Sequence, residues 1–296
     1  VALDLRSAMA APLFDNERVR GIIYVDTSRS GVRYEQADLE VLTATANAVA
    51  VKLRNIHLES ELSTAGEIQR LMMPAQPRID GYDVAARCVP ARGVGGDFYD
   101  FIATPGGRLV AVVADVSGKG LPAALLMANV HATMRAQTAA GGPVKARVER
   151  ANQLVLDTTS VESFVTLFYA ELDPASHGVV YCNAGHEHPF VFRADGTLER
   201  LQTEGIPLGV APGFAFEDAA TSLRPGDALV VFSDGVTDST NNAMECFGHG
   251  QLERVVRQNL DAGADATVHA VIDAVDAHAQ GDLQFDDLTL LVLRRL

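Results

Sequence analysis

Four short segments set aspartate beside glycine or beside a second acid: Gly95-Gly96-Asp97-Phe98-Tyr99-Asp100, Asp115-Val116-Ser117-Gly118-Lys119-Gly120, Ser233-Asp234-Gly235-Val236-Thr237-Asp238 and Phe285-Asp286-Asp287-Leu288-Thr289. Three of them lie against apolar runs of strand character. Arg108 to Ala114 and Asp227 to Phe232 each deliver an aspartate as the run ends, and Asp286-Asp287 opens the run Leu288 to Leu293. Carboxylates brought together at strand ends repel unless hard cations neutralise them, so the set points to an oxygen-lined Mg2+ or Mn2+ site. Taken singly, each segment also reads as an ordinary solvated turn. The joint occurrence carries the inference.

Local chemistry refines the set. Asp97 follows two glycines that let the backbone approach a ligand closely. Phe98 and Tyr99 separate it from Asp100, and in an extended segment only one of the two aspartates need face the site. Asp115 stands between a strand-like run and the helix expected after Leu121-Pro122, a setting for a cation or a phosphate, with Lys119 meeting either phosphate or solvent. The spacing is not that of a Walker loop. His186 and His188 form an H-x-H that could ligate a transition metal, but a turn between strands, with His186 bonded to backbone, is the simpler expectation. Neither H-E-x-x-H nor G-x-S-x-G occurs.

The elements that must position these residues follow from patterning. Met9 to Leu13 and Val19 to Val25 read as a hairpin around the turn Asp15-Asn16-Glu17. From Gln36 the apolar set Leu39, Leu42, Ala46, Val49, Leu53 and Ile56 makes a coiled-coil-like helical seam, which could pack on its own domain or on a second copy. Leu58, Leu62, Ala65 and Met72 continue in another phase, Gly66 marks a place where the helix bends easily, and Pro74 and Pro77 end it. Strands are expected at Val84 to Cys88, Arg108 to Ala114, Phe164 to Leu172, Val179 to Asn183, Pro189 to Arg193, Ala228 to Phe232 and Leu288 to Leu293. Helices are expected at Pro122 to Ala139, Val144 to Ser160, Gly250 to Leu260 and Asp265 to Ala279. Clustered helices and meander-like strands favour an α+β layer structure.

Composition sets the class. At 296 residues, 48% hydrophobic and 21% charged, the chain is globular and long enough for about two domains. No apolar run reaches the roughly 18 residues of a membrane span and no basic leader precedes the first strand, so a cytosolic protein without a membrane partner is expected. A net charge of −14 argues against nucleic acid. Cys88, Cys182 and Cys246, without a C-x-x-C pair, read as reduced structural residues.

In order along the chain, V-G-G-D-F-Y-D, D-V-S-G-K-G, F-V-T-L-F-Y-A-E-L-D, N-A-G-H, G-I-P-L-G, F-S-D-G-V-T-D and D-D-L-T closely resemble the SpoIIE/RsbU branch of the PPM metal-dependent serine/threonine phosphatases, over about Glu67 to Leu296. Residues 1–59, with G-I-I-Y-V-D-T and the helix after Gln36, look like the C-terminal half of a GAF sensor domain. The resemblance implies a 60–76 linker and junction, and over 77–296 an α-β-β-α sandwich with two Mn2+ or Mg2+ ions at one edge. Asp115 would bridge both ions, the Val116 carbonyl would bind one, Asp234 and Asp286 would hold the other, and Asp97 would support the site. A water between the ions would attack the phosphorus in line. Arg92, five residues before Asp97, is offered as a phosphate ligand, as in some PPM enzymes. No general acid can be picked, His186 being an outside candidate.

The resemblance further implies a phosphoserine or phosphothreonine substrate on a STAS-type anti-anti-sigma protein, gating by the upstream sensor, and dimerisation through the linker helix. Two other functions remain open: a phosphatase-like signalling scaffold with little turnover, and a metal-dependent hydrolase of small phosphoesters.

Overall fold

The computed structural model describes residues 5–15, 18–159, 163–281, 284 and 286–296. Asn16 and Glu17 of the expected turn, Ser160 at the expected helix end, and Phe285 lie outside the described residues. The chain divides into two compact units, Val1–Thr64 and Ala65–Leu296.

In the first unit β1 (Ser7–Asp15) pairs antiparallel with β2 (Arg18–Thr27), with a register shift between Leu13 and Phe14. The long helix α1 (Gln36–Met72) starts here, where the Asp38 carboxylate accepts the Glu35 N–H at 2.8 Å and satisfies one of the orphan donors of the first turn. Its buried stripe is Leu42, Ala46 and Ala50, in steps of four. Leu42 and Ala46 pack with Ala11, Met9, Leu13, Ile23 and Val25 of the hairpin. The seam expected through Val49, Leu53 and Ile56 therefore covers its own hairpin only at its start, and those three side chains stay exposed.

In the second unit α1 runs to Met72 and is followed by β3 (Tyr82–Val89), β4 (Phe98–Ala103), β5 (Leu109–Val116), α2 (Leu121–Ala140), α3 (Val144–Thr158), β6 (Val165–Asp173), β7 (Gly178–Ala184), β8 (Phe190–Phe192), β9 (Leu198–Arg200), β10 (Ala219–Ser222), β11 (Ala228–Phe232), α4 (Asp234–Thr237), α5 (Gly248–Asn259), α6 (Ala264–Ala279) and β12 (Leu288–Arg295). The strands form two five-stranded antiparallel sheets, ordered β10-β7-β6-β5-β4 and β3-β12-β11-β8-β9. Helices α2 and α3 cover the first sheet and α5 and α6 the second, so three apolar layers alternate through an α-β-β-α sandwich. At Gly66 the missing side chain admits a loop, since a Cβ there would lie 2.1 Å from the Gly93 carbonyl oxygen.

Two-sided burial explains why the central strands read as continuous apolar runs. Along β5, Leu109, Ala111 and Val113 face the gap between the sheets, while Val110, Val112 and Ala114 face the helices. β4 escaped the sequence reading because Asp100 interrupts its apolar run. The structure turns that aspartate away from the gap, with Phe98, and buries it completely. Arg135 of α2 grips it through two bonds of 2.7 Å, and His131 Nε2 stands 3.1 Å away. Among the described residues no helix is long and apolar enough to cross a membrane.

Candidate metal centre

The same alternation that builds the core brings the acids together. Phe98 pairs with Ala114 across β4 and β5, so Asp97 and Asp115 stand opposite each other one step further, both on the side facing the gap. On the facing sheet β11 ends at Phe232, paired with Leu290 of β12; Asp234 then opens α4, and Asp286-Asp287 leads into β12. Asp97, Asp115, Asp234 and Asp286 thus meet at one edge of the sandwich. Asp234, Asp286, Asp238 and Gln284 line a cavity of about 240 Å3 there.

Asp287, which the sequence does not distinguish from its neighbour, has a different task. Its Oδ1 accepts the Ala91 N–H at 2.8 Å, and its Oδ2 accepts those of Gly96 at 2.6 Å and Asp97 at 3.3 Å. The carboxylate thereby ties the loop before β4 to the start of β12. Two glycines make room for this latch: a Cβ on Gly95 would lie 2.3 Å from Asp287 Oδ2, and one on Gly235 would lie 2.0 Å from the Asp287 carbonyl oxygen. From the other side, Gln69 Nε2 donates to the Gly95 carbonyl at 2.6 Å and its Oε1 accepts the Gly95 N–H at 3.0 Å. Neither Asp287 nor Gln69 carried a motif signal of its own; the parity of β12, whose Thr289, Leu291 and Leu293 share a face with position 287, is what could have singled out Asp287.

Electrostatics at this edge favour a cation. Burial, then the neighbouring Asp115 and Asp287, hold Asp97 well above the ordinary carboxylate range. Asp115 is pushed up to about 6 by burial, with Asp234, Asp286 and Asp287 adding to the effect. Asp234 is raised by partial burial and then by Asp286 and Asp238. Lys119 offers compensation to Asp286, its Nζ lying 3.0 Å from Oδ2. Among the described residues the buried Asp97 Oδ2 has no hydrogen-bond partner, an orphaned oxygen of the kind that a cation or its water satisfies. A Cβ on Gly96 would lie 2.7 Å from the Val116 carbonyl oxygen, so only a glycine lets the loop before β4 pack this closely against it. Among the described residues no group of three or more Asp, Glu, His or Cys side chains stands close enough together to hold a metal ion as placed. The donors at this edge are nevertheless all oxygen, the kind that Mg2+-like ions take. The donor set fits hard divalent cations.

The remaining expected residues separate from this cluster. Arg92 is exposed in the loop between Ala91 and Gly93, and among the described residues it has no hydrogen bond or ion pair. The two histidines diverge, His188 being exposed and His186 buried. Thr166 Oγ1 lies 2.8 Å from His186 Nδ1, and Asn183 Oδ1 accepts its backbone N–H at 2.7 Å. Burial lowers the imidazole to about 4, which favours the uncharged ring near neutral pH. The H-x-H is a turn and not a metal pair.

Residues 105–296 match the family model of Stage II sporulation protein E (SpoIIE), and residues 2–53 match the GAF domain. The phosphoserine phosphatase RsbU of Bacillus subtilis is 31% identical over 249 residues, covering 82% of this chain and 73% of that protein. The solved RsbU and RsbW domains of a Mycobacterium tuberculosis protein superpose with a TM-score of 0.65 at 27% identity, over 76% of this chain and 63% of that one. The PP2C domain of SiaA from Pseudomonas aeruginosa gives 0.71 at 18% identity, over 81% of this chain and 98% of that one, a likeness of fold.

Proposed function

Because the chain belongs to the Stage II sporulation protein E (SpoIIE) family and is a protein serine/threonine phosphatase of the PPM type, we propose that its acidic edge binds two Mn2+ or Mg2+ ions and hydrolyses phosphoserine or phosphothreonine on a STAS-type anti-anti-sigma protein. The observation that carries the reading is geometric: Asp97 and Asp115 stand opposite each other at the ends of β4 and β5, and Asp234 and Asp286 stand where β11 ends and β12 begins on the facing sheet. Asp115 would hold both ions, the Val116 carbonyl would bind one of them, Asp234 and Asp286 would hold the other, and Asp97 would support the site from its buried position. Bound there, divalent cations acidify a water and neutralise phosphoryl oxygens. The chain's own part is to aim these oxygens from four fixed strand ends. Asp287 keeps Asp97 in place, and Arg92 stands free at the rim to meet the phosphate. The test is release of phosphate from p-nitrophenyl phosphate and from a phosphoserine protein with and without Mn2+. Turnover that is equal in EDTA overturns the metal reading.

Regulation belongs to the same proposal, with residues 1–59 as sensor, 60–76 as junction and 77–296 as phosphatase, in a cytoplasmic protein. Gln69 lies in the junction and makes two hydrogen bonds to Gly95, two residues before Asp97. A helix movement that breaks them would loosen the loop carrying Asp97. Gln69→Ala should raise the Mn2+ concentration for half-maximal activity roughly ten-fold, since two such bonds contribute about 1 kcal/mol each. Calorimetric Mn2+ affinity equal to wild type would remove Gln69 from the coupling. Dimerisation through α1 rests on Leu53 and Ile56, exposed at 51% and 49%. Replacing both by serine should convert a sedimenting dimer to monomer, and an unchanged sedimentation coefficient would refute the seam.

A further inference from the structure

Beside the acidic edge a cavity of about 590 Å3 opens along the start of α2, bounded by Ser117 and Lys119 at one end, by Pro122, Leu125 and Leu126 along its wall, and by Asn129 beyond. The wall is a second apolar stripe on α2. Ala123, Met127, Val130 and Met134 already bury the opposite face against the first sheet. Leu121 and Leu125 remain outside at 47% and 65% exposure, and Phe164 nearby at 40%. Isolated exposed leucines need no explanation, but Leu125 lines a cavity that ends at Lys119, a neighbour of the acidic edge. Lys119 belongs to both, lining the cavity while its Nζ sits 3.0 Å from Asp286. No acid stands in the first turn of α2, so its positive pole and Lys119 make the entrance attractive to an anion within a chain of net charge −14.

We infer that this cavity is the docking groove for the phosphorylated segment of the protein substrate, with Leu125 as the residue that selects an apolar side chain near the phosphorylated one. The inference rests on the phosphatase reading and adds a sequence preference to it. Lys119 lies two positions before α2 and Leu125 one turn into it, so at most about 13 Å of backbone separates them, a distance an extended peptide covers in three to four residues. The substrate class is therefore an extended segment with a leucine-like residue roughly three positions from the phosphoserine.

Two fluorescein-labelled phosphoserine peptides test it, one with leucine at the third position on each side and one with serine there. Binding to the full chain is read by anisotropy, and p-nitrophenyl phosphate hydrolysis is followed in parallel. Wild type should bind the leucine peptide roughly ten-fold more tightly, as expected for covering one aliphatic side chain. Leu125→Ser and Leu125→Glu should erase the preference while p-nitrophenyl phosphate turnover stays at the wild-type rate. Equal binding of the two peptides by wild type, or a preference kept in both variants, overturns the groove. Loss of p-nitrophenyl phosphate turnover in wild type speaks against the phosphatase reading instead, because anisotropy decides the groove without any turnover.

Discussion

Asp115→Asn should abolish Mn2+-dependent phosphate release, with kcat down by about three orders of magnitude or more, and should at the same time make the metal-free protein more stable at pH 8. Both effects follow from one carboxylate. Asparagine keeps the shape but removes the charge that a cation needs, and a centre of this kind supplies several kcal/mol of transition-state stabilisation. Without metal the same charge is a burden, because Asp115 is raised from 3.8 to about 6 by burial and by its acidic neighbours. A carboxyl whose folded pKa exceeds its unfolded value favours folding through its proton. That contribution is complete below about pH 4 and is lost as pH rises through about 6. At pH 8 the ionised group therefore costs the fold on the order of 1–3 kcal/mol, which the asparagine removes. Thermal unfolding in EDTA checks the sign: the variant should melt higher than wild type at pH 8, and the gap should close towards pH 4. Saturating Mn2+ should reverse the order, since only wild type gains from binding. Asp234→Asn should lose activity similarly, with a smaller gain in stability at its exposed rim. A variant that keeps turnover, or melts lower in EDTA at pH 8, would show that Asp115 is a structural residue.

How much of this was legible in the chain depends on how each residue is buried. β5, β11 and β12 lie in the middle of a sandwich with both faces covered, so Leu109–Val116, Ala228–Phe232 and Leu288–Arg295 announce themselves as unbroken apolar runs. Short edge strands such as β9 and β10 bury little and carry no such signal. β4 was hidden by Asp100, whose charge is cancelled by Arg135 some thirty-five positions away, a pairing that no local pattern encodes. In α1 the coiled-coil spacing was visible, but the residue that continues the buried stripe is Ala50, too small to weigh in a count of apolar positions. Three of the four acidic segments could be placed at strand ends from the sequence; the fourth, before β4, finds its strand only in the structure, where Asp97 stands opposite Asp115. The division of labour within Asp286-Asp287 could not be read, because two adjacent aspartates are chemically identical until the pleat of β12 turns one to the cavity and the other to the loop.

That division predicts opposite signatures for adjacent substitutions. Asp286 is partly exposed and paired with Lys119, an ion pair at the solvent edge worth at most about 1 kcal/mol. Asp286→Asn should therefore leave the melting temperature of the metal-free protein within about 2–4 °C of wild type, that energy's worth in a domain of this size, while lowering activity strongly. Asp287→Ala should do the reverse in its first effect. It strips the acceptor from the N–H groups of Ala91, Gly96 and Asp97 together. Charge-assisted bonds to buried backbone donors are costly to lose, on the order of 2–4 kcal/mol for the set after water reaches some of them. A loss of that size lowers the melting temperature of a domain of this size by roughly 5–15 °C. Activity should fall as a consequence, because Asp97 rides on the freed loop, and excess Mn2+ should recover part of it. Asp287→Asn should fall between the two, since one of its two atoms becomes a donor pointed at a backbone N–H. Should Asp287→Ala melt like wild type and lose only activity, Asp287 would be a metal ligand and not the latch, and the loop before β4 would have to be held by Gln69 alone.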